Sequence, residues 1–179
     1  ITDDFICEGS ATGLFMLEKN ADSNSNASYN INEIGKLKYV RDIVEYEGKI
    51  LIGYDEGVLV YNQGNLEEFA LSRFLPDKRV NSFLSDSKGN LWVGTWGGAA
   101  VFRGDEFLKV YTVDDGILSS MVNKLFEDSI GNIWIGSYVA PAGGISIISE
   151  TKTFNFDLKK GLLHSNINDI IQLDESTVM

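Results

Sequence analysis

Short apolar runs, each closed off by glycine, asparagine or aspartate, recur along the whole chain. In the clearest stretch they cover residues 80–84, 91–95, 99–102 and 107–111, separated by Lys88-Gly89-Asn90, Gly97-Gly98 and Arg103-Gly104-Asp105. Runs rich in β-branched and aromatic residues and bounded by turn formers predict strands joined by hairpins. The second run is apolar at odd and even positions alike, which predicts a strand covered on both faces. A free-standing meander would alternate.

These four runs belong to a line of sequence that repeats. One copy reads Val80-Asn-Ser-Phe-Leu-Ser-Asp86-Ser-Lys-Gly89-Asn90-Leu-Trp92-Val-Gly94-Thr95, then Gly97-Gly98, an aromatic strand at 107–111, and Asp115-Gly116-Ile-Leu118. The next reads Val122-Asn-Lys-Leu-Phe-Glu-Asp128-Ser-Ile-Gly131-Asn132-Ile-Trp134-Ile-Gly136-Ser137, then Gly143-Gly144, Phe154-Asn-Phe156 and Gly161-Leu-Leu163. Weaker copies precede them, with Gly48-Lys-Ile-Leu-Ile-Gly53 in one and Phe5-Ile-Cys-Glu-Gly9 in the other. Equivalent positions Cys7, Leu51, Trp92, Trp134 and Met179 are spaced 44, 41, 42 and 45 residues apart. Four strands every 40 to 45 residues predict a blade of a β-propeller.

The expected fold class is therefore all-β, a β-propeller fragment of about four blades of four antiparallel strands. Blades are assigned to residues 1–39 (incomplete), 40–79, 80–121 and 122–166, with 167–179 as the first strand of a further blade. Both ends fall inside the same strand of the repeat, as in a fragment cut mid-blade at both ends; a closed four-bladed ring, or two copies pairing into eight blades, are the alternatives. Trp92 and Trp134 are expected to fill the space between blades. Gly9, Gly53, Gly94 and Gly136 mark places where backbones approach closely. Asp86 and Asp128 should accept hydrogen bonds from local amides and fix their hairpins. The polar stretch 21–30 reads as an enlarged surface hairpin, its Asn26 sequon as a chance match, and Cys7 as a small core residue.

Composition agrees with this and narrows the function. Of 179 residues 44% are hydrophobic, enough for a real core, and eighteen glycines stand against two prolines. A net charge of −11 would repel a phosphate backbone, so nucleic-acid binding by this segment is not expected. No apolar run is long enough to span a bilayer, and Ile1-Thr-Asp-Asp does not begin like a signal peptide.

Catalytic patterns are missing. There is no Walker loop, no Gly-x-Ser-x-Gly elbow and no His-Glu-x-x-His pair. His164, the only histidine, falls in an inter-blade connection, and the pairs Asp3-Asp4, Glu67-Glu68 and Asp114-Asp115 point apart in strands or turns. No catalytic residue, metal or cofactor is expected. What remains is the propeller mouth, where loops between second and third strands meet the inter-blade loops. Its candidate ligand-binding residues are Trp96, Tyr54, Tyr138, Arg79, His164 and Asn166, within the loops 54–56, 96–97, 138–142, 119–120 and 164–166. Arg41, Asn81, Asn123 and Asn168 open the innermost strands and are expected to hydrogen-bond round the channel.

The line Val-Asn-x-x-x-x-Asp-x-x-Gly-Asn-(Leu/Ile)-Trp-(Val/Ile)-Gly-(Thr/Ser), followed by Gly-Gly and Asp-Gly-(Ile/Leu)-Leu, resembles the two-component regulator propeller repeat. The match is close over 80–175 and degenerate over 1–79, where Cys7 and Leu51 stand for tryptophan and Glu45-Tyr-Glu-Gly-Lys49 for the Asp-box turn. The resemblance implies the periplasmic sensor domain of a Bacteroidetes hybrid two-component protein, with an immunoglobulin-like domain, membrane helix, kinase, receiver and DNA-binding parts elsewhere in the parent. It implies an oligosaccharide ligand, further blades and downstream domains as partners, and a homodimer as an assembly to be tested. A propeller lyase or hydrolase acting on polysaccharide, or a plain interaction scaffold, are the competing expectations.

Overall fold

The computed structural model describes residues 5–19, 29–62, 65–139 and 142–179. Asp3, Asp4 and most of the polar stretch 21–30, with Asn26, lie outside them, as does the Cys7 side chain. The first sheet holds β1 (Phe5–Gly9), β2 (Leu14–Lys19) and β3 (Tyr29–Gly35); the second holds β4 (Asp42–Tyr46), β5 (Lys49–Tyr54), β6 (Gly57–Asn62) and β7 (Asn65–Glu68). β8 (Val80–Ser85), β9 (Leu91–Thr95), β10 (Gly98–Arg103) and β11 (Glu106–Tyr111) form the third. The fourth is β12 (Val122–Glu127), β13 (Ile133–Ser137), β14 (Ile145–Ile148) and β15 (Thr153–Phe156), and β16 (Gln172–Asp174) pairs with β17 (Thr177–Val178). Neighbouring strands are consecutive in sequence and antiparallel throughout, and the first strands β4, β8 and β12 adjoin one another. Meanders fanning out from such a ring of first strands make a β-propeller.

Residues 167–179, read from sequence as the first strand of a further blade, contain a turn and a strand pair. The turn forms because Asp174 Oδ1 accepts hydrogen bonds from the Ser176 amide and hydroxyl, each at 2.8 Å.

The core lies between sheets rather than beneath one. Leu14, Val40 and Ile52 pack between the first and second. Leu51, Val58, Val80, Phe83, Leu91 and Phe102 fill the space between second and third, and Trp92, Ala99, Val101, Val122, Leu125 and Ile135 that between third and fourth. All five residues of β9 are buried, as its unbroken apolar run requires.

What brings the sheets so close is the glycine at the end of each second strand. A Cβ at Gly53 would lie 2.6 Å from Val80 Cγ1, at Gly94 2.7 Å from Val122 Cγ1, and at Gly136 2.7 Å from Ile167 Cγ2. Val40 occupies the corresponding place against Gly9. Each glycine thus receives the branched side chain that opens the next blade.

Polar groups repeat the same stitch nearer the axis. Asn81 Nδ2 donates to the Val122 carbonyl at 2.7 Å and Asn123 Nδ2 to the Ile167 carbonyl at 2.8 Å. The Phe83 amide donates to Asp42 Oδ2 at 2.7 Å and the Leu125 amide to Ser82 Oγ at 3.2 Å. Burial pushes the Asp42 carboxyl above the usual carboxylate range, although bonds from the Phe83 and Ile43 amides and the charge of Lys124 oppose it. At the far end of the blades Glu127 accepts from the Ser87 amide and hydroxyl at 2.7 and 2.6 Å, and Gln172 replaces it against Ser129 in the next blade.

The repeated aspartate does more than close a hairpin. Asp86 accepts from the amides of Lys88 and Asn90, from Asn90 Nδ2, and from Trp92 Nε1 at 2.8 Å. Asp128 repeats all four contacts with Ile130, Asn132 and Trp134. In both, burial acts to raise the carboxyl pKa, and the four hydrogen bonds outweigh it and hold it below the ordinary range. The tryptophan is thereby tied to the hairpin, its ring stacked on Tyr111 at 5.2 Å in the third blade.

In the second blade Tyr46 stands where this aspartate would. Its hydroxyl donates to the Gly89 carbonyl at 3.0 Å and accepts from the Gly104 amide at 2.9 Å, joining two hairpins of the third blade. Tyr46→Phe is expected to lower stability by about 1 kcal/mol, since it removes two part-buried hydrogen bonds that join the hairpins; urea unfolding at neutral pH reads the change.

The apolar pattern does not anticipate the short 3-10 turns after the fourth strands, at Ser72–Phe74, Val113–Asp115 and Leu158–Lys160. The second is a capping box in which Asp115 Oδ2 accepts from the Thr112 amide at 3.0 Å. Asp115 also pairs with Lys109 Nζ at 3.0 Å, so it is a cap and not half of an acidic dyad with Asp114.

Candidate functional site at the propeller mouth

Second-to-third-strand loops and inter-blade loops emerge on the same face. Trp96 lies between β9 and β10, Asp77 and Arg79 between β7 and β8, Asp55 between β5 and β6, and Tyr39 and Arg41 just before β4. The Trp96-Gly97 turn is seated on the 76–79 connection: a Cβ at Gly97 would meet the Pro76 carbonyl oxygen at 2.7 Å. Thr95 Oγ1 fixes the turn by donating to the Gly98 carbonyl and accepting from the Gly97 amide, and Gly98 takes a φ of 142°.

This close seat sets the indole under a guanidinium. Arg79 lies 4.0 Å from the Trp96 ring centroid and forks onto Asp77 through Nε at 2.9 Å and Nη2 at 2.6 Å. The bond to Arg79 holds the Asp77 carboxyl below the usual range, and Asp77 first, then Asp55, raises the Arg79 pKa. Arg41 donates from Nη1 to Asn81 Oδ1 at 2.8 Å and from Nη2 to Asp55 Oδ1 at 2.6 Å. Its guanidinium stands 6.0 Å from the Trp96 ring and 5.8 Å from that of Tyr39. Asn81 Oδ1 also accepts from Trp96 Nε1 at 3.3 Å. Six side chains from the second and third blades, with Tyr39 from the connection before β4, therefore form one network of two arginines, two carboxylates, an amide and two aromatic rings.

The remaining candidates lie elsewhere. Tyr138 is half exposed and bridges to Asn166, whose amide donates to His164 Nδ1 at 3.0 Å. Asn166 Oδ1 is buried, with no hydrogen-bond partner among the described residues. Residues 140–141 of the 138–142 loop lie outside the described part. Tyr54 packs on the Leu14, Val40 and Ile52 core, and burial, then Glu56 and Glu68, raise its hydroxyl pKa. It lines a small recess of about 80 Å³ with Ser72, Leu75 and Lys78.

The structure thus joins Trp96 to Arg79, joins Tyr138, His164 and Asn166 to one another, and shows no contact between Tyr54 and either group among the described contacts. Sequence reasoning missed Asp77, and read Arg41 and Asn81 chiefly as channel-lining structure, with ligand contact as the lesser reading. A signal was present: Arg41 stands where the other copies have asparagine, and Asp77-x-Arg79 is a short opposite-charge pair. Chemically the network offers fixed hydrogen-bond donors and acceptors around an aromatic ring. Among the described residues no three His, Cys, Asp or Glu side chains are placed to hold a metal.

Residues 75–97 and 116–139 match the family described as two component regulator propeller. No curated protein matches the sequence. Among solved structures, the extracellular domain of the one component system protein BT4673 from B. thetaiotaomicron is similar over 99% of this chain and 27% of its own length, with a TM-score of 0.74 and 17% identity. That of BT3049, a hybrid two component system of the same organism, is similar over 95% of this chain and 29% of its own, with a TM-score of 0.65 and 20% identity. This chain spans less than a third of either, and at such identity the likeness establishes the fold, a partial propeller. The two matched stretches include the Asp-box hairpins with their tryptophans and the glycines that receive the next blade; in these two repeats the chain matches the two-component regulator propeller.

Proposed function

We propose that these blades belong to the extracytoplasmic sensor of a two-component signalling protein, non-catalytic in themselves, and that their mouth recognises a glycan. The observation that carries this reading is the Arg41–Asn81–Trp96–Arg79 network: preorganised polar groups round an aromatic ring, held by loops on stitched blades. The family of the repeat supports the signalling role, and the extracellular placement of BT4673 and BT3049 supports the compartment. Arginine forks and an asparagine oxygen suit sugar hydroxyls, while the indole edge presents apolar surface to a sugar ring. Binding would tighten the loops of two adjacent blades and pass the change to further blades and to downstream domains of the parent protein.

A screen of oligosaccharides against the complete ectodomain tests this. A binding oligosaccharide is expected, with affinity reduced at least tenfold, about 1.4 kcal/mol, by Trp96→Ala or Arg79→Ala. Absence of any oligosaccharide ligand, or equal binding by both variants, would refute the mouth as a glycan site.

A further inference from the structure

Between the third and fourth blades, on the face opposite the mouth, lies a cleft of about 210 Å³. The junction between the second and third blades is filled at the corresponding place. There the Tyr46 ring reaches across to the Gly89 and Gly104 backbones, and Phe102, fully buried, packs edge-on against Phe69 at 5.6 Å. In the repeat, Asp86 stands for Tyr46 and Ile148 for Phe102, so two large rings give way to a carboxylate and a smaller aliphatic chain. The cleft follows from these replacements, which distinguish this junction from the one between the second and third blades.

Its walls have a definite chemistry. Trp92, Tyr111, Ile133 and Ile148 supply apolar and aromatic surface. Asp86, Glu127 and Glu150 line it against a single ammonium, Lys88. Asp86 is occupied by its four donors, but among the described residues Glu127 accepts hydrogen bonds from Ser87 alone, which leaves lone pairs free. Glu150 meets Lys88 at 3.3 Å in an exposed pair whose side chains are 84% and 55% accessible, an interaction too weak to close the opening.

We propose that this cleft binds a single-ring ligand bearing hydroxyl groups and an ammonium, of the amino-sugar class. One ring suits a volume below the roughly 300 Å³ at which sites for drug-sized ligands begin. Excess carboxylate selects the ammonium, which takes the place of Lys88 on Glu150, and the ligand ring packs on Ile148 and the rim of Tyr111, a ring that is itself stacked on Trp92 and has Lys109 Nζ 4.2 Å from its centroid. The site is independent of the mouth reading, and either can fail alone.

Calorimetric titration of the complete ectodomain with D-glucosamine, D-glucose and N-acetyl-D-glucosamine is the test. D-glucosamine is expected to bind, and the two uncharged sugars at least tenfold more weakly. Ile148→Phe, which copies the filled junction next door, should abolish that binding while Arg79→Ala leaves it unchanged. Glu150→Gln, on the surface, should weaken it tenfold and covers the case in which Ile148→Phe does not fold. Failure of D-glucosamine to bind, equal binding of the three sugars, or undiminished binding by Ile148→Phe or Glu150→Gln would overturn the proposal.

Discussion

Gly94→Ala is expected to cost about 2–3 kcal/mol of stability, a large effect for a single methyl group. The added Cβ would stand 2.7 Å from Val122 Cγ1 and 3.3 Å from Leu125 Cδ1, with the Ser82 carbonyl oxygen at 3.4 Å. Nothing nearby can yield cheaply: Val122 is fully buried, β9 is buried along its whole length, and both flanks of β9 are held in hydrogen-bonded ladders. The third and fourth blades would have to part. Val122→Ala alone should also destabilise, by leaving a cavity. Combined with Gly94→Ala it should recover at least 1 kcal/mol of the loss, because the new methyl then occupies the space Val122 vacates. Urea midpoints of the four proteins in this cycle decide the matter; additive losses would contradict the socket between blades.

Removing the repeated aspartate should be as severe. In Asp86→Ala, the amides of Lys88 and Asn90, Asn90 Nδ2 and the buried Trp92 Nε1 all lose their acceptor, at an expected cost of about 3–4 kcal/mol. The same carboxylates make part of the stability depend on pH. Their folded pKa values lie below the unfolded value, so the contribution is complete above about pH 4, where the unfolded carboxyl is ionised, and is lost as pH falls through the folded pKa. Asp42 has the opposite sign, since its raised folded pKa makes protonation favour the native state as the solution is acidified. Denaturation from pH 7 to 3 should show a smaller acid loss in an Asp86→Asn, Asp128→Asn double variant than in the wild type, on a lower stability at neutral pH. An unchanged acid loss would assign it to other carboxylates.

How much of this was legible beforehand depends on whether the signal was local. Strand limits at 91–95 follow from flanking turn residues, and β9 has those limits. Asp86, Gly89 and Asn90 announce a hairpin because aspartate and asparagine bond their own backbone neighbours and glycine accepts a positive φ, here 78°. The bond from Trp92 Nε1 to Asp86 was not foreseen, since it spans six residues and forms only once the hairpin has folded. Likewise the glycines were expected to mark close approach, but the Val and Ile side chains that fill the gap come from about thirty residues further along.

The candidate site divides in the same way. Trp96 and Arg79 were selected because both fall in loops on one face, and they meet. Tyr54 was selected on the same ground, yet its ring joins the core between the first two blades, because loop membership specifies the face of a propeller and not the direction of a side chain. Asp55 meets Arg41 within one blade, but Asn81 becomes its partner only when two blades stand side by side, 40 positions apart in sequence.

The chain by itself determined the period, the four-strand unit and the face on which its loops gather, because strand pairing, turn chemistry and apolar periodicity are short-range and recur in every copy. Tertiary structure alone decided that Arg41 meets Asn81 across two blades, which branched side chain enters which glycine socket, and why one junction is filled while the next is open. Those outcomes depend on contacts between residues about 30 to 60 positions apart, brought together only when neighbouring blades pack.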